Sequence, residues 1–349
     1  MKTAKLLTTI VVLLIALAVS IVLVITVGSA KVPLSHVIDI LKYRVLNIGE
    51  KEAGWAMSEF HIVWNIRMPR ILLSIVAGAG LAICGAVMQA VVLNPIADPF
   101  ILGVSSGASA GAACALIMPM TFIPLTANVT AMAFLGAIVS SVAVYLLARA
   151  GGGGTLSPVA LILSGTAISA LMGAVTNLFI FFAKSAESIA SVYYWQMGSI
   201  SSADWRSLPV PAAITGLGAI ALICSAEKLN ILMMGEEDAM ALGLNVKGFR
   251  LLMMGIVSLI VSALVSETGI IGFVGLMIPH IVRMLTKSSN NKVILPISLC
   301  AGALFMVWAD TFARSLLKVE IPLGIITAFT GTPFFVFLMA KRKKLMGGL

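Results

Sequence analysis

The chain has 349 residues, of which 60% are hydrophobic and only 11% are charged. Soluble domains carry roughly 25% charged residues, so this composition excludes a soluble enzyme and indicates a polytopic membrane protein. The net charge of +9 is typical of a membrane protein whose basic residues set the topology and contact anionic headgroups. We therefore expect membrane lipid, and not nucleic acid, as the partner of these residues.

Ten apolar segments are candidate transmembrane helices, since a span needs about 20 residues. They lie at residues 6–28, 70–91, 99–118, 126–148, 158–182, 207–225, 250–267, 270–286, 293–313 and 323–340. The sequence thus predicts an all-α, polytopic membrane protein with about ten transmembrane helices, in which residues 1–349 form a single transmembrane domain. Basic residues at both ends of the chain predict that both termini are cytoplasmic.

The first apolar segment has two interpretations. Lys2 and Lys5 precede it, and Gly28-Ser29-Ala30 follows it, a pattern that loosely resembles a signal peptide with its cleavage site. The apolar run is longer than the roughly 7–15 residues of a signal sequence. We therefore interpret it as a retained first transmembrane helix.

Residues that bind metals or perform chemistry are scarce. The four cysteines are widely spaced and the three histidines are scattered, which argues against a disulfide framework, a metal site or a catalytic site; these residues are Cys84, Cys114, Cys224, Cys300, His36, His61 and His280. The glycine run 151–154 lacks the Lys-Ser/Thr of a phosphate-binding loop. If a nucleotide drives this protein, another polypeptide binds it.

A basic motif stands where the second apolar segment begins. Arg67 and Arg70 are three residues apart and share a helix face, and Pro69 suits a first helical turn because its missing N–H costs little there. One interpretation is a pair of arginines that anchor a helix end at the membrane surface. The other is a fixed cationic patch for an acidic partner outside the cell.

Two further segments combine turn-forming and capping residues. In 94–99, Asn-Pro-Ile-Ala-Asp-Pro prevents a continuous helix and predicts a sharp inner turn, which is either a plain connection or a gate at the pore mouth. In 235–243, three acids follow Gly235 and Gly243 ends the segment, which predicts a short surface helix. Such a helix either simply connects two spans or contacts a partner.

Ionisable residues at membrane depth are functional candidates by default. Glu267, Asp310 and His280 are the examples here, and each lies close to a span end or has an ordinary structural interpretation. They leave an ion-coupled secondary transporter as the alternative function. An intramembrane enzyme is not favoured, because the chain has no HExxH, no GxSxG and no clustered carboxylates.

Together these motifs resemble the permease subunit of bacterial ABC importers for iron-siderophore, haem and cobalamin, the type II importer family. The resemblance covers essentially the whole chain and rests on the order and spacing of several motifs. These are Arg67-Met68-Pro69-Arg70, Gln89, Asn94-Pro95, Ala97-Asp98-Pro99, Gly103 to Gly107, Trp195-Gln196-Met197-Gly198-Ser199, Gly235-Glu236-Glu237, Ala239, Leu242-Gly243, Gly272-Phe273-Val274-Gly275-Leu276, Pro279-His280, Asp310, Arg314, Pro322-Leu323-Gly324, Thr327 and Gly331-Thr332-Pro333-Phe334.

The resemblance implies a role for particular residues. It implies that three arginines outside grip acidic residues of an extracytoplasmic substrate-binding protein: Arg67, Arg70 and Arg314. It implies that the short helix docks in a groove of the ATPase subunit through Gly235, Glu236, Glu237, Asp238, Ala239, Leu242 and Gly243. It places an inner gate at Asn94, Pro95 and Ile96, a second gating segment at 151–154, and a pathway-lining helix around Gly165 and Asn177.

The resemblance also implies an assembly. Two permease copies, a homodimer by expectation, would join two ATP-binding-cassette ATPases and a binding protein in the bacterial cytoplasmic (inner) membrane. This chain would bind no cofactor, because ATP and Mg would bind to the ATPase, and it would not be an enzyme. The expected substrate is a metal chelate, with ferric siderophore as the first expectation and haem or cobalamin as alternatives.

Overall fold

The computed structural model describes residues 3–28, 30, 32–48, 54–118, 124–151 and 156–346, with side chains up to Phe337. The described residues contain fifteen α-helices and no strand. The helices are α1 (Thr3–Thr26), α2 (Leu34–Leu41), α3 (Met57–Phe60), α4 (Met68–Val91), α5 (Val104–Ile117), α6 (Leu125–Gly151), α7 (Pro158–Phe181), α8 (Ala186–Gln196), α9 (Pro209–Cys224), α10 (Ala226–Leu232), α11 (Glu236–Ala241), α12 (Val246–Thr268), α13 (Val274–Thr286), α14 (Asn291–Ser315) and α15 (Leu323–Met346).

Each of the ten predicted spans coincides with a helix. Six helical segments are long and apolar enough to cross a membrane, and the pair α9–α10, bent by 56°, makes a seventh if it is counted as one span. Three shorter apolar segments occupy the remaining predicted positions, and these are α5, α13 and residues Leu323–Phe337 of α15. The all-helical membrane class is therefore confirmed, while ten crossings, the cytoplasmic termini and the single domain stay predictions.

Helix α4 lies at the centre of the molecule and is buried on nearly every face. It packs against α14, α13, α12 and α9. Glycines allow this close packing, because a methyl group on Gly78 would overlap Gly302 of α14 and one on Gly85 would overlap Gly275 of α13. In a membrane, where helices gain little from the hydrophobic effect, such close backbone approach is a main source of helix association.

A second pair of helices, α5 and α6, packs through a stripe of small residues. Gly107 and Gly111 of α5 face Gly136 and its neighbours on α6. The third span does not begin as an α-helix, however. Pro99–Leu102 form a 3₁₀ turn that ends at Gly103, whose φ of +72° suits glycine, and α5 starts only at Val104.

Pro69 lies in the first turn of α4, as predicted, but α4 is not where the helical run starts. The helical run begins at Met57 and continues without a break to Val91, through a π-helical segment at His61–Arg67. The N–H of Met68 donates to the carbonyl of Val63, five residues back. The wider π turn accommodates Pro69 inside the run, since proline can neither donate a hydrogen bond nor fit a regular turn behind it.

Candidate functional site

The predicted outer arginines converge with two carboxylates, and Arg70 of α4 is at the centre. Its Nε lies 3.0 Å from both carboxylate oxygens of Asp310 on α14, and its Nη2 lies 2.8 Å from Asp310 Oδ1. Its Nη2 also lies 2.5 Å from Glu320 Oε1, in the segment before α15. Arg70 thus joins α4, α14 and that segment. We call Arg67, Arg70, Asp310, Arg314 and Glu320 the outer charge cluster.

The other two arginines hold the end of α1. Arg67 donates to the carbonyls of Ile25 at 2.6 Å and Ala30 at 2.5 Å, and Arg314 donates to those of Val24 and Val27, both at 2.7 Å. The last carbonyls of a helix lack partners within the helix, and cations are favourable at that end. The outer charge cluster therefore anchors α1 to α4 and α14.

The cluster is largely enclosed. Arg67 and Arg70 are buried, and the side chain of Asp310 is only 2% exposed. The carboxylate of Glu320, with its side chain 34% exposed, is the member nearest the surface. The three arginines outnumber the two carboxylates by one, so the cluster carries a formal charge of +1. Arg67 and Arg70 therefore connect helices inside the protein and do not extend to its surface, and their docking role stays a prediction.

At the opposite end of α4, the chain makes the predicted turn. Leu93 adopts a positive φ of 54°, and Asn94 Oδ1 accepts a hydrogen bond from the N–H of Ile96 at 3.1 Å. Pro95 and Ile96 are exposed at the tip. Asp98 Oδ1 accepts from the N–H of Phe100 at 2.8 Å, and burial raises the pKa of this carboxyl to about 6. The turn is present and its gating role stays a prediction.

Helix α11 occupies the predicted segment 235–243. Gly235 precedes it with a φ of +123°, Glu236, Glu237 and Asp238 fill its first turn, and Gly243 follows with a φ of +82°. The side chain of Ala239 packs inward, while Glu237, Asp238 and Leu242 are exposed. Two exposed methionines flank the acids, a feature that the sequence analysis missed: Met234 and Met240.

Sequence analysis also missed Arg250, near the start of α12. Its side chain is 2% exposed and forms an ion pair with Glu236 of α11. The same guanidinium donates to the carbonyls of Val91 and Leu156. A lone arginine near the start of a predicted span resembles an ordinary topology signal, and only the acidic residue 14 positions earlier hinted at a pair.

Helix α7, the predicted pathway helix, presents a small and polar face. Thr166, Ala170 and Asn177 are exposed along it, at spacings that place them on one side of the helix. Gly173 lies on the same side with open space beside it. Gly165 is instead buried against the carbonyl of Ile101, so it packs the helix onto the turn before α5. Of the predicted glycine run 151–154, residues 152–154 lie outside the described residues.

The three candidate proton-carrying residues are not brought together. Asp310 belongs to the outer charge cluster, and His280 contacts Phe334 edge-on. Glu267 lines a cavity of about 1000 Å³ with Asp204 and several serines. No group of three or more potential metal ligands occurs in the part of the chain that the structure describes. A smaller, apolar cavity of about 680 Å³ lies between the end of α8 and α15.

Known proteins with similar sequences are transport permeases. The chain is 41% identical, over 81% of its length and 74% of the relative's, to a cobalamin import system permease protein, BtuC, of Halobacterium salinarum. It is 38% identical to the Fe(3+)-citrate import system permease protein YfmD of Bacillus subtilis, covering 88% of each chain. It is 35% identical to the hemin transport system permease protein HmuU of Yersinia pestis, covering 88% of this chain and 90% of that one.

A solved structure and a family model agree with these relatives. A metal-chelate type ABC transporter in an inward-facing conformation superposes with a TM-score of 0.82 and 29% sequence identity, covering 95% of this chain and 98% of that one. The model of the FecCD transport family matches residues 13–341, which is nearly the whole chain. This chain therefore belongs to the FecCD transport family and is the permease subunit of an ABC transporter, a transport component and not an enzyme.

Proposed function

We propose that the chain is the membrane core of an importer that moves a ferric siderophore across the cytoplasmic (inner) membrane, driven by ATP hydrolysis on separate subunits. Residues 1–349 act as one transmembrane domain with both termini in the cytoplasm. The relatives are named for cobalamin, haem and Fe(3+)-citrate, which are all bulky metal chelates. Two of these three contain iron, which supports an iron chelate as the substrate, with haem and cobalamin as the alternatives to be tested.

The observation that carries this proposal is the surface at α11. Exposed apolar side chains of Met234, Met240 and Leu242 surround the exposed acids Glu237 and Asp238. Apolar side chains clustered on an exposed loop with a charged rim are typical of a protein-binding surface. In our proposal, this surface binds the ATPase subunit, so α11 serves as the coupling helix and Gly235 and Gly243 set its two ends.

On the other side of the membrane, the proposed partner is a substrate-binding protein with acidic docking residues. Arg70 and Arg314 are the two arginines of the outer charge cluster that lie next to its carboxylates, and Glu320 is the carboxylate nearest the surface. An acidic residue of the binding protein would reach Arg70 by replacing Glu320. Arg67 supports this site from below by holding the end of α1.

The pathway in this proposal lies between two copies of the chain. Asn177 and Thr166 are exposed on α7, and polar side chains at membrane depth avoid lipid and face water or protein. The apolar cavity beside α15 is lined by Met197, Phe273 and Phe329. A second copy placed against α7, α8 and α15 would enclose both surfaces, and Asn94, Pro95 and Ile96 would then lie at the inner mouth.

Reconstitution in proteoliposomes tests the proposal. The permease is purified with its ATPase and binding protein, and uptake is measured for a radiolabelled ferric siderophore, haem and cyanocobalamin at equal concentrations. We expect accumulation of the ferric siderophore that requires ATP and Mg and that persists with an uncoupler. Uptake of cyanocobalamin or haem in place of the siderophore would overturn the substrate, and uptake without ATP would overturn the importer.

The coupling surface has its own test. Replacing Met240 and Leu242 with serine removes the exposed apolar side chains while leaving the acids and Arg250 unchanged. We expect the permease to lose the ATPase subunit during co-purification. The matched control is Leu316→Ser, since Leu316 is equally exposed at the other end of the molecule. Unchanged recovery of the ATPase with the double variant would contradict the assignment of α11.

A further inference from the structure

We propose that Arg250 is the positioning residue that passes movement of α11 to the inner gate and to the start of α7. The inference rests on the proposed function, since it takes α11 as the ATPase-binding helix and residues 94–96 as the gate. It adds a residue that sequence motifs did not indicate. It also names the two segments to which the movement is passed.

One guanidinium joins three parts of the chain. Arg250 Nη1 lies 2.5 Å from Glu236 Oε1, the first residue of α11, and 3.0 Å from the carbonyl oxygen of Leu156. Its Nε lies 3.3 Å from the carbonyl oxygen of Val91. Arginine is suited to this role because its five N–H donors are fixed in one plane.

The three partners are the ends of the elements that would have to move together. Val91 is the last residue of α4, immediately before the turn that carries Asn94 and Ile96. Leu156 precedes Ser157, whose side chain caps α7, the helix with the exposed polar face. Glu236 is the residue through which Arg250 contacts α11. A displacement of α11 therefore pulls on both the gate and the pathway helix through Arg250.

Burial makes this connection stiff. The side chain of Arg250 is 2% exposed, whereas that of Glu236 is 43% exposed. A buried charge that loses its partner is costly, because water is not available to replace it. Arg250 is therefore expected to follow its partners. Glu237 and Asp238, the other two acids of α11, are exposed and make no contact of this kind among the described residues.

A coupling role and a purely structural role make different predictions for transport per ATP. In the reconstituted transporter, we would measure uptake and ATP hydrolysis for Glu236→Gln and Arg250→Lys, with Glu237→Gln and Lys247→Gln as controls on exposed neighbours. We expect about a tenfold loss of uptake per ATP hydrolysed for the first two, with the ATPase still bound, and little change for the controls.

A distance measurement follows the gate itself. A spin label is attached at I96C in a C224S background, since Cys224 is exposed and Ile96 lies at the tip of the turn. ATP should change the label-to-label distance between the two copies in the parent protein and should fail to change it with Arg250→Lys. An ATP-induced change of normal size in a folded Arg250→Lys or Glu236→Gln protein would overturn the inference.

The two proposals fail in different ways. If the ATPase still co-purifies with the Met240→Ser, Leu242→Ser protein, or if ATP does not move the gate in the parent, the assignment of α11 or of the gate is wrong. If the ATPase binds and ATP moves the gate in every variant, the inference about Arg250 is wrong. Should Arg250→Lys fail to fold, Glu236→Gln remains a valid test, because it leaves both backbone bonds of Arg250 in place.

Discussion

The outer charge cluster predicts that its two carboxylates contribute unequally to stability. The change Asp310→Asn keeps the shape of the side chain and removes its charge. Arg70 then loses the buried partner that accepts from both its Nε and its Nη2 and keeps only Glu320, whose side chain is 34% exposed. Removing one partner of a buried pair costs about 3–5 kcal/mol. Since Glu320 still compensates part of the charge, we expect about 3 kcal/mol.

The change Glu320→Gln removes the more exposed partner, and a water-accessible ion pair contributes about 1 kcal/mol or less. With an unfolding entropy that scales with chain length, these costs correspond to shifts of the thermal midpoint of about 4 °C and about 1 °C. Intrinsic tryptophan fluorescence of the purified permease in detergent measures both midpoints. Asp39→Asn is the matched control, because its pair with Lys42 is exposed and its loss should leave the midpoint unchanged.

Equal midpoints for Asp310→Asn and Glu320→Gln would refute the reasoning. It would mean that burial of Asp310 does not strengthen its pairing with Arg70. A double variant tests whether the lost stability comes from an unpaired buried charge. Replacing both members, Arg70→Gln with Asp310→Asn, removes the buried cation together with its buried partner and returns the formal charge of the cluster to +1, so it should restore part of the stability lost in Asp310→Asn alone.

Three further predictions concern binding, pH and packing. Glu320→Gln removes the carboxylate that competes for Arg70, so the affinity for the acidic binding protein should rise about fivefold by surface plasmon resonance; a lower affinity would count against docking at Arg70. The pKa of Asp98 is raised to about 6 from an ordinary 3.8, so the folded state binds the proton more tightly than the unfolded state. As the pH rises from about 4 to about 6, the thermal midpoint of the parent should therefore fall relative to that of Asp98→Asn. A constant difference between the two midpoints would show that the pKa of Asp98 is not raised by folding. Gly85→Ala should lower the free energy of unfolding by about 2 kcal/mol, and the thermal midpoint with it, because the methyl group would overlap Gly275. Gly173→Ala, with open space beside it, is the control and should leave the midpoint unchanged.

The positions of the long helices could be predicted from the sequence because each contains a continuous run of apolar residues. The helices that were missed are short. Helices α2 and α8 have too few apolar residues in a row to stand out. The π-helical segment that ends at Arg67 was missed for another reason, since Pro69 has the sequence signature of a helix start and only the surrounding structure shows that the helix continues through it.

The candidate sites were predictable where their residues are close in sequence and not where they are distant. The segment around α11 combines its acids and glycines within nine positions of the sequence. Glu320 lies 250 residues from Arg70 and Leu156 lies 94 residues from Arg250. Pairings of this kind depend on which helices become neighbours in the fold. Local patterns in a single sequence do not indicate which helices those are.

The attachment of α1 has a consequence for how the protein is made. Most of the surface of α1 is exposed, and its C-terminal end is held by arginines from two later helices. Arg67 is synthesised 42 residues after Ile25, so the first attachment forms early during insertion. Arg314 is synthesised 290 residues after Val24. Helix α1 thus receives its second attachment only after α14 has been synthesised, and until then it can pivot about a single arginine.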